Sequence, residues 1–253
     1  MTATQPSLSD GYATQFGALM AELRAAGSLL VAYSGGVDST FLAVTAHDVL
    51  GARALAVTAA SETYPVWERR EAEALARQFG FAHRIIETSE LAIPGYRDNP
   101  PERCYHCKTA LFSELRRLAD TEGFAQIADG TTVDDLSDFR PGRRAAREAG
   151  VISPLVNAGL TKADVRQLSR RRGLPTADKA SFACLASRVP YGESITAEKL
   201  RQIDAAEQFF RERGFHQCRV RHHGTVARIE IEPADETRLL QTVRSEAIQH
   251  LKA

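Results

Sequence analysis

The 253-residue sequence predicts an α/β fold: a doubly wound, mostly parallel sheet with helices on both faces, followed by a small C-terminal α/β appendage. Three observations carry this expectation. Short apolar runs of strand type alternate with helical patterns through the first two-thirds of the chain. A glycine-rich turn joins the first of those runs to a helix. Near Leu174 the alternation gives way to a polar, proline-bearing segment and then to a helix, a hairpin and a second helix. We therefore expect two domains, residues 1–175 and 176–253.

The strand-like runs are residues 29–33, 54–59, 83–88 and 126–129, with a short one at Val151-Ile152. Helical patterns cover 40–50, 65–79, 104–119 and 161–172. Strands linked by helices pair in parallel, and helices then cover both faces of the sheet. The segment LPTADKASFACLASRVPYGESIT has no clear periodicity and is long for a connector, a length that points to a functional loop. Beyond it lie a helix over 196–213, a hairpin across CRVRHHGTVARIEIE with its turn at His223-Gly224, and a helix over 234–251.

Composition narrows the function classes. The hydrophobic fraction of 43% and charged fraction of 25% are those of a soluble globular chain. Lys and Arg number 32 and so do Asp and Glu, so no overall field draws the chain to nucleic acid or to a membrane surface. No apolar stretch is long enough to span a bilayer, and MTATQPSLSDGYATQ lacks the pattern of a secretion signal, so a cytoplasmic address is expected. Four cysteines are too few for a disulfide scaffold and suggest ligand or catalytic chemistry.

The turn after the first strand reads Ser34-Gly35-Gly36-Val37-Asp38-Ser39. Two glycines allow close approaches that a Cβ would block, and successive backbone N–H groups ahead of a helix make an anion site. No lysine follows, as a Walker-type loop would require. A short cradle with Asp38 as a Mg²⁺ or hydrogen-bond partner suits pyrophosphate better than a transferable γ-phosphoryl group. The plainer reading is a tight turn with Asp38 or Ser39 as helix cap. Asp129 and Gly130 follow the fourth strand on the same expected ligand edge, where carboxylates can hold Mg²⁺ or ribose hydroxyls. Arg140 there could meet a phosphate, and Asp134 and Asp138 could equally cap a helix over 143–149.

Cys104 and Cys107 stand at i and i+3, on one helix face, and Cys184 lies in the long loop. A second C-x-x-C is absent and His106 points off the cysteine face, which argues against a four-ligand zinc site. Three thiolates suit an iron–sulfur cluster with one iron left free, but a dithiol redox pair or ordinary buried thiols fit the spacing as well. Cys218 opens a strand and is expected to pack. Arg188 follows Cys184 on the loop, and Arg219 and Arg221 alternate along a strand and so share a face, with forks suited to phosphate or carboxylate.

SGGVDS resembles the signature of the PP-loop ATP-pyrophosphatases, which split ATP between its α and β phosphates and pass AMP to a substrate oxygen. Together with RCYHCK, DGTTVDDLSDFRPG, CLASRVPYG and CRVRHHGTVARIEI, it makes the chain resemble the LarE-type sulfur transferases over nearly its whole length. The resemblance implies an adenine nucleotide α-hydrolase-like fold, with ATP held by Ser34, Gly35, Gly36, Asp38, Ser39, Asp129 and Gly130, and with Mg²⁺. It implies that a carboxylate of a pyridinium-type mononucleotide is adenylated and that sulfur then displaces AMP, in biosynthesis of the nickel-pincer nucleotide. It places Asp38 and Cys184 in catalysis, Cys104, Cys107 and Cys184 around a [4Fe-4S] cluster, and Arg188, Glu207, Arg219 and Arg221 on the substrate side. A sacrificial Cys184 is the alternative sulfur source. The sulfur donor is left unspecified, and self-association is left open. A tRNA thiolase, an amide-forming ligase of the same superfamily and a non-catalytic nucleotide-binding module are the competing readings. Family members continue past the last helix into a strand and polar tail, whereas this sequence stops at Ala253.

Overall fold

The computed structural model describes residues 10–137 and 141–252. The elements are α1 (Asp10–Ala26), β1 (Leu29–Ala32), α2 (Val37–Leu50), β2 (Ala54–Ala60), α3 (Val66–Phe79), β3 (His83–Glu87), α4 (Arg103–Glu122), β4 (Gln126–Ala128), α5 (Pro141–Glu148), α6 (Pro154–Asn157), α7 (Lys162–Arg171), α8 (Ala197–Glu212), β5 (Cys218–His223), β6 (Val226–Ile231), α9 (Glu236–Arg238) and α10 (Arg244–Lys252).

Two compact units are interleaved along the chain rather than divided by one boundary after residue 175. One comprises residues 1–59, 71–86 and 108–181, and the other 60–70, 87–107 and 182–253. The first holds a four-stranded sheet ordered β3-β2-β1-β4, with β1 parallel to both β2 and β4. Leu29 to Ala32 register with Ala54 to Val57, and Leu29 to Val31 with Gln126 to Ala128. The run at Val151-Ile152 contributes only a single parallel bridge, Ile152 to Ala128. Because β2 and β3 extend the sheet to one side of β1 and β4 to the other, the loops after β1 and β4 meet at the point where the winding reverses. That crevice, at the carboxyl ends of the strands, is where such sheets bind ligands. Leu29, Val31, Ala54 and Ala56 of the strands share one cluster with Phe41 and Leu42 of α2 and with Ala72 and Ala76 of α3.

The apolar run Leu29-Leu30-Val31 is buried because both sheet faces are covered, and Leu29 and Val31 share a cluster with Phe41, Leu42, Val44, Leu155 and Leu168. The helix α1 was not anticipated; its Leu19 and Leu23, one turn apart, are fully buried in the same core.

In the second unit α8 packs on the β5–β6 hairpin, burying Phe209, Phe210, Phe215, Val220 and Val243. The hairpin loop is Gly224-Thr225, one residue later than expected, with Gly224 at φ 61° supplying the left-handed position. The expected final helix is broken into α9, a π-helical turn at Leu239–Val243 and α10.

Candidate active site

The turn between β1 and α2 is built as an open cradle. Gly35 has φ 67°, which a side chain would resist, and the helix starts at Val37 rather than Thr40. Neither Asp38 nor Ser39 caps it: the cap residue is Gly36, and no side-chain cap bond is made to the first helical turn among the described residues, an arrangement open to an anion. Ser39 instead folds back, its Oγ accepting Ser34 N–H at 3.2 Å and lying 3.1 Å from Ser34 Oγ. Gly130, after β4, presses on this turn, where a Cβ would fall 2.9 Å from Ser39 N. Only glycine fits there. Asp129 is spent locally, its Oδ1 accepting Thr131 N–H at 3.1 Å and Ser153 Oγ–H at 2.8 Å.

Asp38 is half-buried, and burial raises its carboxyl from the ordinary 3.8 to about 6, with Lys162 pulling the other way. A half-buried carboxylate at the mouth of an anion cradle would suit a divalent cation, which would supply positive charge there. Around it lie groups that sequence reasoning missed. Lys162 Nζ bonds Asp135 Oδ1 at 2.9 Å, and Asp135 closes a capping box with Thr132. Asp134 accepts Lys162 N–H at 2.6 Å, at the start of α7, and so does not cap α5. Asp138 and Arg140 lie outside the described residues.

Lys179 reaches the cradle from the segment after α7. Its Nζ donates to Gly35 O at 3.1 Å and stands 3.0 Å from Glu71 Oε2. Arg166 steadies that segment, giving Nη1 to Ala177 O at 2.7 Å and Nη2 to Lys179 O at 3.0 Å. A lysine thus reaches this turn from 144 residues away. The only hint in the sequence was that Lys179 falls in the long aperiodic segment.

In the second unit, Cys107 and Cys184 pack against one apolar cluster that includes Tyr96, Leu185 and Ala186. None of the four cysteines is in a disulfide, and Cys104 is exposed. Cys107 Sγ lies 3.8 Å from Glu90 Oε1. Burial pushes the Cys184 thiol up; the Arg103 cation opposes it, and the Cys104 and Glu90 charges add to it. Tyr96, buried first by its surroundings and then facing Cys184, Cys107 and Glu90, is raised as well. The three cysteines are therefore within electrostatic reach of one another's surroundings. Among the described residues no group of His, Cys, Asp and Glu is disposed to hold a single metal ion. In a cluster each thiolate binds a different iron, so the sulfurs stand further apart than around one ion. Two thiols against one apolar cluster, with the exposed Cys104 one helical turn from Cys107, are a donor set of that kind. Cys218 packs under α8, and burial with Glu207 nearby raises its thiol to about 12.

The four substrate-side residues divide. Arg188, 1% exposed, is not free for a phosphate: Nε and Nη2 bond Glu207 at 2.8 and 3.0 Å, and Nη1 bonds Ala183 O at 2.5 Å and Ser187 Oγ at 2.9 Å. Glu207 is equally engaged, accepting also Val220 N–H at 2.9 Å. This buried pair ties the Cys184 loop to α8 and β5. Arg221 is half-buried, bonded to Glu230 at 2.7 Å and to Ser187 O at 3.1 Å. Arg221 and Arg228 hold the Glu230 carboxyl down at about 2. Arg219 is exposed on the hairpin.

No described helix is long and apolar enough to cross a membrane. The asparagine synthase family model matches residues 17–114, the stretch containing the cradle. The chain is 46% identical to an uncharacterized protein of Synechocystis over 85% of this chain and 80% of that one. It is 28% identical to an uncharacterized protein of Methanocaldococcus jannaschii over 88% and 84%. The pyridinium-3,5-bisthiocarboxylic acid mononucleotide synthase of Lactiplantibacillus plantarum shares 37% identity over 88% of this chain and 81% of its own length. A likeness of that depth, running through both units and joined to a lysine-free phosphate cradle, is a likeness of whole enzymes: the chain belongs to the LarE family, ATP-utilising enzymes of the PP-loop superfamily.

Proposed function

We propose that the protein is an ATP-dependent sulfur transferase that converts a carboxylate of pyridinium-3,5-biscarboxylic acid mononucleotide to a thiocarboxylate. The observation that carries this reading is one chain holding both a helix-start cradle with no side-chain cap and an apolar cluster against which Cys184 and Cys107 both pack. A binding module needs no such thiols, and an amide-forming ligase needs none either.

In the first step a carboxylate oxygen attacks the α-phosphorus of ATP, and the bond to the β-phosphate bridging oxygen breaks. Pyrophosphate leaves with the electron pair. The N–H groups at the start of α2, Ser34, Ser39 and Lys179 stabilise the charge that grows there; Asp38 would hold Mg²⁺, which would supply Lewis-acid neutralisation. In the second step a sulfur nucleophile adds to the acyl carbonyl, and the bond to AMP oxygen breaks. Asp129 and Gly130 shape the cradle, and Arg219 and Arg221 face the mononucleotide phosphate, Arg221 exchanging Glu230 for it. Cys104, Cys107 and Cys184 would hold the [4Fe-4S] cluster, which when bound presents an iron site for sulfide. In the alternative route Cys184 itself gives up sulfur.

The test is anaerobic purification followed by iron and acid-labile sulfide determination, with the mass of the Cys184 peptide measured before and after turnover with ATP, Mg²⁺ and substrate. Iron and sulfide near four per chain with an unchanged peptide supports the cluster route; loss of H₂S from the peptide supports the sacrificial one. Pyrophosphate release without any thiocarboxylate product would overturn the assignment.

A further inference from the structure

The helix bearing Cys104 and Cys107 and the turn bearing Cys184 are joined by a buried polar clasp. Asn99 is fully buried with φ 54°, a left-handed conformation that the surrounding contacts must hold in place. Its Nδ2 donates to Val189 O at 3.2 Å and Pro190 O at 2.7 Å, and its Oδ1 accepts Arg103 Nη1 at 2.5 Å. Arg103 Nη1 also donates to Ala186 O at 3.0 Å. One side chain thus grips the residue four before it on its own segment and the residue two after Cys184.

Arg103 is 3% exposed, yet its buried Nε–H has no hydrogen-bond partner among the described residues. A charged donor left unsatisfied in an interior is costly, and such groups are uncommon without a purpose. Arg103 directly precedes Cys104 in α4, and through Ala186 O it reaches the turn that carries Cys184. The ring of Tyr191 lies 5.7 Å from the guanidinium carbon.

We propose that Arg103 is the positioning residue of the sulfur pocket: its Nη1 locks the Cys184 turn to the cysteine helix through Asn99 and Ala186, and its Nε–H is kept for the sulfur anion handled there. The inference rests on the reading of Cys184 as part of the sulfur site, but not on which sulfur route operates. A side chain that merely braces the loop would need the Nη1 bonds and no orphan cation.

The experiment uses the full chain, reduced and treated with chelator so that all four thiols are available. Alkylation rates at Cys184 are measured by peptide mass mapping with iodoacetate, an anion, and with iodoacetamide, its neutral counterpart. Both reagents need the same thiolate, so their quotient cancels the ionised fraction and reports the local field. At Cys184 the quotient should exceed that at Cys218, whose sulfur sits beside Glu207. Arg103→Met should lower it about fivefold, the equivalent of about 1 kcal/mol, and Arg103→Lys should restore most of it. An equal quotient in wild type and Arg103→Met overturns the proposal. Should Arg103→Met fail to fold, the wild-type comparison decides alone: a quotient at Cys184 no higher than at Cys218 overturns it. Because this measurement needs neither cluster nor turnover, the proposed activity can fail while the field at Cys184 stands.

Discussion

Replacing Asp38 by asparagine should make the nucleotide-free protein more stable while abolishing its chemistry. Burial lifts this carboxyl from 3.8 to about 6. Above pH 6 or so the side chain is ionised in both the folded and unfolded states, and the folded state bears the cost of a partly buried charge. Below 3.8 both states are protonated and the cost is gone. Wild-type stability from this group therefore falls as pH rises between those values. At about 1.36 kcal/mol per pH unit the difference amounts to about 3 kcal/mol. Asp38→Asn keeps the shape and removes the charge. Urea unfolding followed by circular dichroism should show the variant more stable by up to about 3 kcal/mol near pH 8, with the gain vanishing near pH 3.5. ATP-dependent pyrophosphate release should be lost, because an amide is a poor Mg²⁺ ligand. In the wild type, kcat/KM for pyrophosphate release should fall as pH drops through about 6, when Asp38 of the free protein takes up a proton. An Asp38→Asn variant with no gain at the higher pH, or one that still releases pyrophosphate, would refute the reasoning.

Three further outcomes are expected. Gly130→Ala places a methyl 2.9 Å from Ser39 N; pyrophosphate release should drop by roughly tenfold to a hundredfold, and an unimpaired rate would show that the turn can yield. Lys179→Met should weaken ATP binding by about tenfold or more, the loss of one charge-assisted hydrogen bond; calorimetry showing an unchanged Kd would remove Lys179 from the cradle. Arg188→Met strands Glu207 in the interior, a loss of about 3–5 kcal/mol, whereas replacing both partners with apolar residues should recover most of it. Equal unfolding midpoints for the single and double variants would contradict that account.

The sequence was most informative where function depends on neighbours in the chain. Ser34 to Ser39 had to follow a buried strand and open a helix, and the steric and hydrogen-bonding demands of that turn are local, so glycine and small hydroxyl residues declare it. The i, i+3 spacing of Cys104 and Cys107 and the two-residue period of Arg219 and Arg221 are likewise local geometry. Even so, the cap at Gly36, the start of α2 at Val37 and the broken final helix were not legible, because helix ends depend on a few weak hydrogen bonds that neighbours can redirect.

Partnership across long separations was decided by the tertiary structure alone. Lys179 meets Gly35 from 144 positions away. Arg188, which reads in sequence as a phosphate ligand, is spent on Glu207 because a guanidinium 1% exposed must find an anion. Arg103, silent in the sequence beside the cysteine that follows it, is buried against Asn99 and Ala186. A residue type states what a side chain can bond to. Which partner it meets, and whether water is there to compete, is set only when distant segments pack, since burial turns a weak surface attraction into a constraint the fold must satisfy.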